Sequence, residues 1–391
     1  MIDYILLEAG NAKEERIELF WRCFGPDKKK EDVAKWLDDE DHSQGLFFAV
    51  DGDQKVAHMA IVEPLENRIR GANLSFAGIG GVTTLPEYRR KSLVKGMFRK
   101  AFDFMNEQDI VFSALAPFNF QFYEKFGYAH AAQMRKYTFP VSLLKPLRGP
   151  ESVTFRPYQK ADAEGVMQVQ RAMARFGSRV FIPAGKFIDK DKGHPYVFER
   201  NGSIVGFVQY TFKEIAEWQK DMTVMHTWYS EENVLLSIAD LTYRFGSQCN
   251  KISWFVDPEI PLEYFLTEPG QAKRTKEGYM MVRVVKFREF CQQIRVPLFA
   301  AEPVIIAIED EYCPWNTGVF KLTPVSGRLE IRESDKTPEI KLNAVQLSHV
   351  VGGLLTANRL RRMGGLACNQ EAAERLSRIF PPNSYVTYAE F

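Results

Sequence analysis

The chain has little that would tie it to metal, membrane or nucleic acid. Its five cysteines, Cys23, Cys249, Cys291, Cys313 and Cys368, are scattered, odd in number and in no C-x-x-C pair. That excludes a disulfide framework and a structural zinc site, and it predicts a reducing compartment. The six histidines, His42, His58, His130, His194, His226 and His349, show no metal-ligand spacing, so no metal is expected. Excess charge is missing too: 51 Lys and Arg face 50 Asp and Glu, a net of +1. No overall field therefore draws the chain to nucleic acid or an anionic membrane. No stretch approaches the ~18 uninterrupted apolar residues of a membrane span. The opening Met1-Ile2-Asp3-Tyr4 has no basic segment followed by an apolar run, so no signal peptide is expected. A soluble, cytoplasmic protein is the prediction.

What the chain does have is phenylalanine: 30 Phe, beside 15 Tyr and 6 Trp. Well-packed cores account for this, and so does an aromatic-walled pocket; both readings stay open. A length of 391 residues predicts two or three domains. In the first block a helix carrying Ile17, Leu19, Phe20, Trp21 and Phe24 ends at Gly25-Pro26. Apolar runs at 46–50 and 56–62 then flank Asp51-Gly52, the signature of a β-hairpin. A similar order recurs about 150 residues later: Phe155-Arg-Pro-Tyr, a helix with Val166, Met167, Val169 and Met173, and a hairpin around Asn201-Gly202. Strand, helix and hairpin at one offset read as a duplicated domain; chance likeness of common elements is the alternative. A third block holds short strands at 304–308, 318–322 and 329–331, with helices at 344–355 and 371–380. The expected domains are 1–148, 149–293 and 294–391, in an α+β fold.

The stretch that carries chemistry runs Ala77-Gly-Ile-Gly-Gly-Val-Thr-Thr-Leu-Pro-Glu-Tyr-Arg-Arg-Lys-Ser92. Gly78, Gly80 and Gly81 inside a strand-like segment mark a bulge or a close approach of backbone to ligand. After Pro86 come three consecutive cations, Arg89, Arg90 and Lys91. Leu93, Val94, Met97, Phe98, Ala101, Phe102 and Met105 then share one face of a helix. The cations and Ser92 therefore stand at that helix's N-terminus, where unpaired N–H groups and the positive end of the dipole face outward. Together these make a site for a phosphate or diphosphate. A solvated basic turn is the plainer reading, and the flanking glycines and helix weigh against it.

This stretch resembles the acetyl-CoA motif of the GNAT acetyltransferases, in which an Arg/Gln-x-x-Gly-x-Gly/Ala loop cradles the pyrophosphate. The resemblance implies that the backbone of Val82, Thr83 and Thr84 holds the pantetheine arm of acetyl-CoA. Arg89, Arg90, Lys91, Ser92 and Val94 would hold the diphosphate. Ser92 stands where the family has Gly, and Val94 where it has Gly or Ala, a departure that bears on cofactor affinity; a serine there can cap N–H groups or offer its hydroxyl to a phosphate. Downstream, Phe122-Tyr123-Glu-Lys-Phe-Gly127-Tyr128 resembles the family's Tyr-x-x-x-Gly-Phe/Tyr signature, which makes Tyr123 the general acid for the departing thiolate. In the second copy Glu231 and Glu232 replace the cations and would repel a diphosphate, so that copy is expected to lack cofactor.

The whole layout, an acetyltransferase fold, a degenerate second copy and a third block, resembles the enhanced intracellular survival (Eis) family. The resemblance implies tandem GNAT domains followed by a sterol carrier protein type-2-like domain. It also implies that the C-terminal carboxylate, here on Phe391 beside Glu390, reaches the active site as base. Phe24, Trp36, the acidic run 38–41 and Glu390 become candidates for the amine, and a small-molecule amine (aminoglycoside-like) or a lysine side chain becomes the substrate. A hexamer is also implied. Neither Cys23 nor Cys249 is placed like a nucleophile, so direct transfer through a ternary complex is expected. Two alternatives remain: a protein lysine acetyltransferase, and a lipid- or metabolite-binding protein whose acetyltransferase folds are relics.

Overall fold

The computed structural model describes residues 2–8, 11–40, 43–62, 66–182, 193–246 and 249–387. The first block opens with strand β1 (Ile2–Leu7), helices α1 (Lys13–Phe24) and α2 (Lys30–Glu40), and strands β2 (Ser43–Asp51) and β3 (Gln54–Val62). It continues with β4 (Asn67–Arg68), β5 (Phe76–Thr84), helix α3 (Leu93–Glu107), β6 (Phe112–Leu115), helix α4 (Phe120–Glu124) and β7 (Ala129–Pro140). The expected hairpin is β2–β3, with Gly52 at φ 59 in its turn, a conformation that glycine adopts without steric cost. Six of the seven residues expected on one face of α3 are buried, from Leu93 to Met105. The remaining one, Val94, is half-buried.

The second block repeats the order. It contains β8 (Thr154–Pro157), α5 (Ala163–Met173), β9 (Ser178–Val180), β10 (Gly193–Arg200) and β11 (Ser203–Ala216). Strand β12 (Gln219–Tyr229), helix α6 (Val234–Gly246), strands β13 (Cys249–Val256) and β14 (Lys273–Val284), and helix α7 (Phe287–Gln293) complete it. The likeness extends to local strain. Gly81 on β5 has φ 59 and His226 on β12 has φ 54. The adjoining ladders slip register at matching places, between His58 and Ala60 and between Phe207 and Gln209. The fold is α+β, with two tandem GNAT-type units.

The linear blocks gave no sign of how the sheet is assembled. Its strand order is β1-β2-β3-β5-β6-β14-β7-β13-β12-β11-β10-β8. Strand β14, from the second block, thus lies between β6 and β7 of the first, antiparallel to both. Strand β7 also pairs with β13. The two units share one continuous sheet.

The third block is a sheet of β15 (Val304–Glu309), β16 (Gly318–Val325), β17 (Arg328–Glu333) and β18 (Ile340–Asn343), in the order β17-β16-β15-β18. Helices α8 (Ala344–Gly352), α9 (Ala357–Arg362) and α10 (Gln370–Ile379) accompany it. Helix α8 stops earlier than expected because Gly353, at φ 82, closes it. Buried Arg70 donates to the carbonyls of Val350 and Val351 at the end of α8. Ser348 donates to the Gly127 carbonyl at 2.8 Å. A last strand, β19 (Tyr385–Thr387), leaves this block and pairs parallel to β9 and, at Ala132, to β7.

Candidate active site

Strands β5 and β6 run parallel from Phe76↔Phe112 to Ile79↔Leu115. Beyond that, β5 continues to Thr84 while the chain after β6 turns toward α4. The widening gap leaves one edge of Val82–Thr84 without a strand partner among the described residues. Gly81 makes the divergence possible. A Cβ there would meet Phe20 Cζ at 2.6 Å, and the positive φ would strain any other residue. His58 Nδ1 donates to the Gly81 carbonyl at 2.8 Å, fixing the bulge from behind.

After the short turn Pro86–Tyr88 the loop winds through two left-handed residues, Arg90 (φ 63) and Ser92 (φ 60). Ser92 is the N-cap of α3, and its side chain makes no capping hydrogen bond. Of the two roles foreseen for it, capping is not realised. The Lys95 N–H donates to the Ser92 carbonyl at 3.0 Å, which leaves the N–H groups before it at the helix start for another acceptor. Arg89 Nε donates to the Thr84 carbonyl at 3.1 Å, tying the loop to the end of β5. The same carbonyl accepts from the Cys23 thiol at 3.4 Å. Burial pushes that thiol up, with Arg89 opposing. Lys91 Nζ lies 4.5 Å from the Tyr88 ring centroid, and the Tyr88 hydroxyl donates to Asp51 at 3.0 Å.

All eight residues expected to hold the cofactor line one cavity of about 1020 Å³: Val82, Thr83, Thr84, Arg89, Arg90, Lys91, Ser92 and Val94. These residues fit an elongated thioester with a diphosphate at its middle. A strand edge would face the arm, and cations with the helix start would face the diphosphate; the Thr83 hydroxyl is buried with no hydrogen-bond partner among the described residues.

A second cavity, of about 520 Å³, shares Phe24, Val82 and Phe118 with the first. Its other walls include Phe20, Val33, Lys28, Asp32 and Tyr123. Tyr123 sits on α4, whose N-cap Asn119 accepts from the Phe122 N–H at 2.9 Å. The Tyr123 carbonyl accepts the N–H groups of Phe126 and Tyr128 at 3.0 and 3.3 Å as the helix ends. Only 3% of Tyr123 is exposed, and burial holds its phenol well above the ordinary value for tyrosine. Phe24, by contrast, is 60% exposed and Phe118 73%. Large apolar groups left in contact with water between two cavities are surfaces for a ligand to cover.

Phe24 and Tyr123 are thus brought together with the residues expected to hold the cofactor. Glu390, Phe391 and Asp41 lie outside the described residues, as do the side chains of Trp36 and 38–40. Sequence reasoning missed Asp32, the acidic residue of the second cavity, and Phe118 and Phe122, which a dense aromatic run at 118–123 could have signalled. It also missed Lys125, Glu311 and Tyr312 on the first cavity; nothing in the pattern links 311–312 to a loop 200 residues earlier. In the second copy, Glu231 pairs with Arg200, and Glu232 lies 3.5 Å from Arg175, so carboxylates stand before α6.

Met281 is level with both Leu115 and His130, so β7 beyond His130 overhangs the end of β6. Tyr385 pairs with Ala132 in parallel, so β19 runs in the same direction as β7 and β6.

Comparison with known proteins agrees with this geometry. Residues 10–131 match the acetyltransferase (GNAT) domain family, and residues 287–387 match the sterol carrier protein domain family. No curated protein sequence matches the chain. Among solved structures, a GCN5-related N-acetyltransferase from Anabaena variabilis superposes with a TM-score of 0.87 at 18% identity, covering 100% of both chains. A conserved protein of unknown function from Enterococcus faecalis, a probable N-acyltransferase, gives 0.84 at 18%, again over 100% of each. Eis1 from Mycobacterium abscessus gives 0.83 at 17%, also over 100% of each. The chain carries a GNAT acetyltransferase domain and is an acyltransferase of that kind. It ends in a sterol-carrier-like domain.

Proposed function

We propose that the chain transfers acetyl from acetyl-CoA directly to a primary amine within a ternary complex. The observation that carries this reading is the junction of the two cavities at Phe24, Val82 and Phe118. Cofactor-type residues line one side, and the buried phenol of Tyr123 lies on the other. Acetyl-CoA supplies the activated acyl thioester. Backbone groups of Val82–Thr84 orient the arm, and Arg89, Arg90, Lys91 and the α3 N-terminus hold the diphosphate. Tyr123, kept protonated by burial, holds the proton that the leaving thiolate needs. The amine arrives as ammonium and must lose a proton. Asp32 attracts it, and the Phe391 carboxylate is the proposed base.

Cys23 lines the first cavity, yet its thiol is hydrogen-bonded to Thr84 and raised by burial. That is the opposite of an activated nucleophile, which supports transfer without an acyl-enzyme.

The described lining of the second cavity favours an amine carried on apolar structure. Phe20, Phe24 and Phe118 form its walls, and Asp32 is its one acidic residue among those described. A lysine side chain, with four methylenes, suits this better than a polycationic aminoglycoside. The sterol-carrier-like block gains no support as a lipid carrier, because its interior is filled by its own side chains: Ile306, Leu322, Leu342, Leu347 and Leu376 are each at most 2% exposed. Labelled acetyl transfer to a panel of aminoglycosides, polyamines and lysine peptides tests the reading. Binding of CoA with no transfer to any amine would overturn the substrate class.

A further inference from the structure

The first cavity is not built by the acetyltransferase unit alone. Glu311 and Tyr312, on the turn between β15 and β16 of the third block, close one end of it. The Glu311 carboxylate accepts from Arg99 at 2.8 Å and lies 3.4 Å from Lys95 Nζ. Lys95 is one helical turn past the loop at 89–92 and itself lines the cavity. The Tyr312 ring meets Phe126 edge-on at 5.3 Å and lies beneath the Arg99 guanidinium at the same distance. This turn is held rigidly: the Asp310 carboxylate accepts the N–H groups of Tyr312 and Cys313 at 3.2 and 3.0 Å and pairs with Arg283. Its position is therefore a property of the fold and not of a loose surface contact.

Coenzyme A extends past its diphosphate into an adenosine that carries a 3′-phosphate. An aromatic wall of Phe122, Phe126 and Tyr312 suits a flat base. Lys95 and Lys125 suit the phosphate, and Glu311 opposes it. We infer that Glu311 and Tyr312 form the adenosine-reading end of the cofactor cavity, with Glu311 setting the discrimination between cosubstrates with and without the 3′-phosphate. The inference rests on the acetyl-CoA reading above. While Glu311 engages Lys95 and Arg99, their charge is spent inside the protein and a negative charge faces the incoming phosphate. The preference for the 3′-phosphorylated form is accordingly restrained, and removing the carboxylate unmasks it.

Calorimetric titration of the full chain with CoA and with 3′-dephospho-CoA tests this without turnover. Glu311→Gln is a change at a residue whose side chain is 63% exposed. It is expected to tighten CoA about fivefold, the scale of an exposed charge interaction, while dephospho-CoA shifts less than twofold. The difference should shrink at high salt. Tyr312→Leu is expected to weaken both nucleotides about fivefold; since Tyr312 is nearly buried, Glu311→Gln decides the matter should that variant fail to fold. Equal changes for the two ligands in Glu311→Gln would overturn the inference alone. Failure of the parent chain to bind either ligand would overturn the acetyl-CoA reading and the inference with it.

Discussion

Arg283 and Asp310 form a fully buried ion pair, 2.7 Å from Nη2 to Oδ1, with the two side chains 0% and 1% exposed. The pair joins all three parts of the molecule. Arg283 belongs to the inserted strand β14, and Asp310 to the sterol-carrier-like block. The guanidinium packs 4.4 Å from the Phe102 ring centroid and against Gly127 of the tyrosine loop. A Cβ at Gly127 would fall 1.4 Å from Arg283 Nη1, so glycine is required there for contact as well as for its φ of 82.

Removing Asp310 strands a buried guanidinium and strips the acceptor from two N–H groups. Asp310→Ala is expected to cost about 3–5 kcal/mol, read from the denaturant midpoint. A loss under 1 kcal/mol would show that the three parts hold together by apolar packing alone.

Tyr123→Phe deletes the proton donor and keeps the ring's packing. Turnover should fall about 10²–10⁴-fold, with CoA affinity within twofold. Because burial raises the phenol above its usual value, the group keeps its proton as pH climbs to 10. The alkaline limb of the turnover profile below pH 10 should therefore be the same in parent and variant. A limb that disappears in the variant would assign that ionisation to Tyr123.

Burial pushes the His226 imidazole down to about 4. The unfolded chain takes up a proton as pH falls through about 6.5, and the folded chain resists until about 4. Stability is thus complete above 6.5 and lost progressively as pH drops toward 4, by up to about 3 kcal/mol. His226→Asn, which tolerates the left-handed backbone, should flatten the Tm profile between pH 7 and 4. An unchanged slope would place the acid sensitivity elsewhere.

Truncation after Thr387 removes Glu390 and Phe391 while leaving β19 paired. Turnover is expected to drop at least ~10²-fold with little change in Tm. Full activity after truncation would exclude the Phe391 carboxylate as base.

Much of the lining of the first cavity was legible because it is local. The glycines before position 82, the cations at 89–91 and the apolar face of α3 are contiguous, and each follows from short-range physics. The acceptor side was legible only at Phe24 and Tyr123. Asp32 reads as one more charge on a polar helix face, and nothing marks it as facing inward. The insertion of β14 between β6 and β7 was invisible. A strand's apolar alternation does not name its neighbours, and this pairing joins residues about 170 positions apart. The docking of Glu311 and Tyr312 was hidden for the same reason. Ser92 shows the reverse limit: its identity suggested a cap, and its left-handed backbone rules the cap out.

The loop at 89–92 and the end of β5 are proposed to grip a diphosphate, with Arg89 tying the one to the other. Calorimetry with CoA should show one site on the folded parent. Arg89→Ala should weaken it at least tenfold, since it removes a cation and a charge-assisted hydrogen bond worth about 1.5–3 kcal/mol, with Tm nearly unchanged. No heat from the well-folded parent, or equal affinity in the variant, would mean that this loop does not bind the diphosphate.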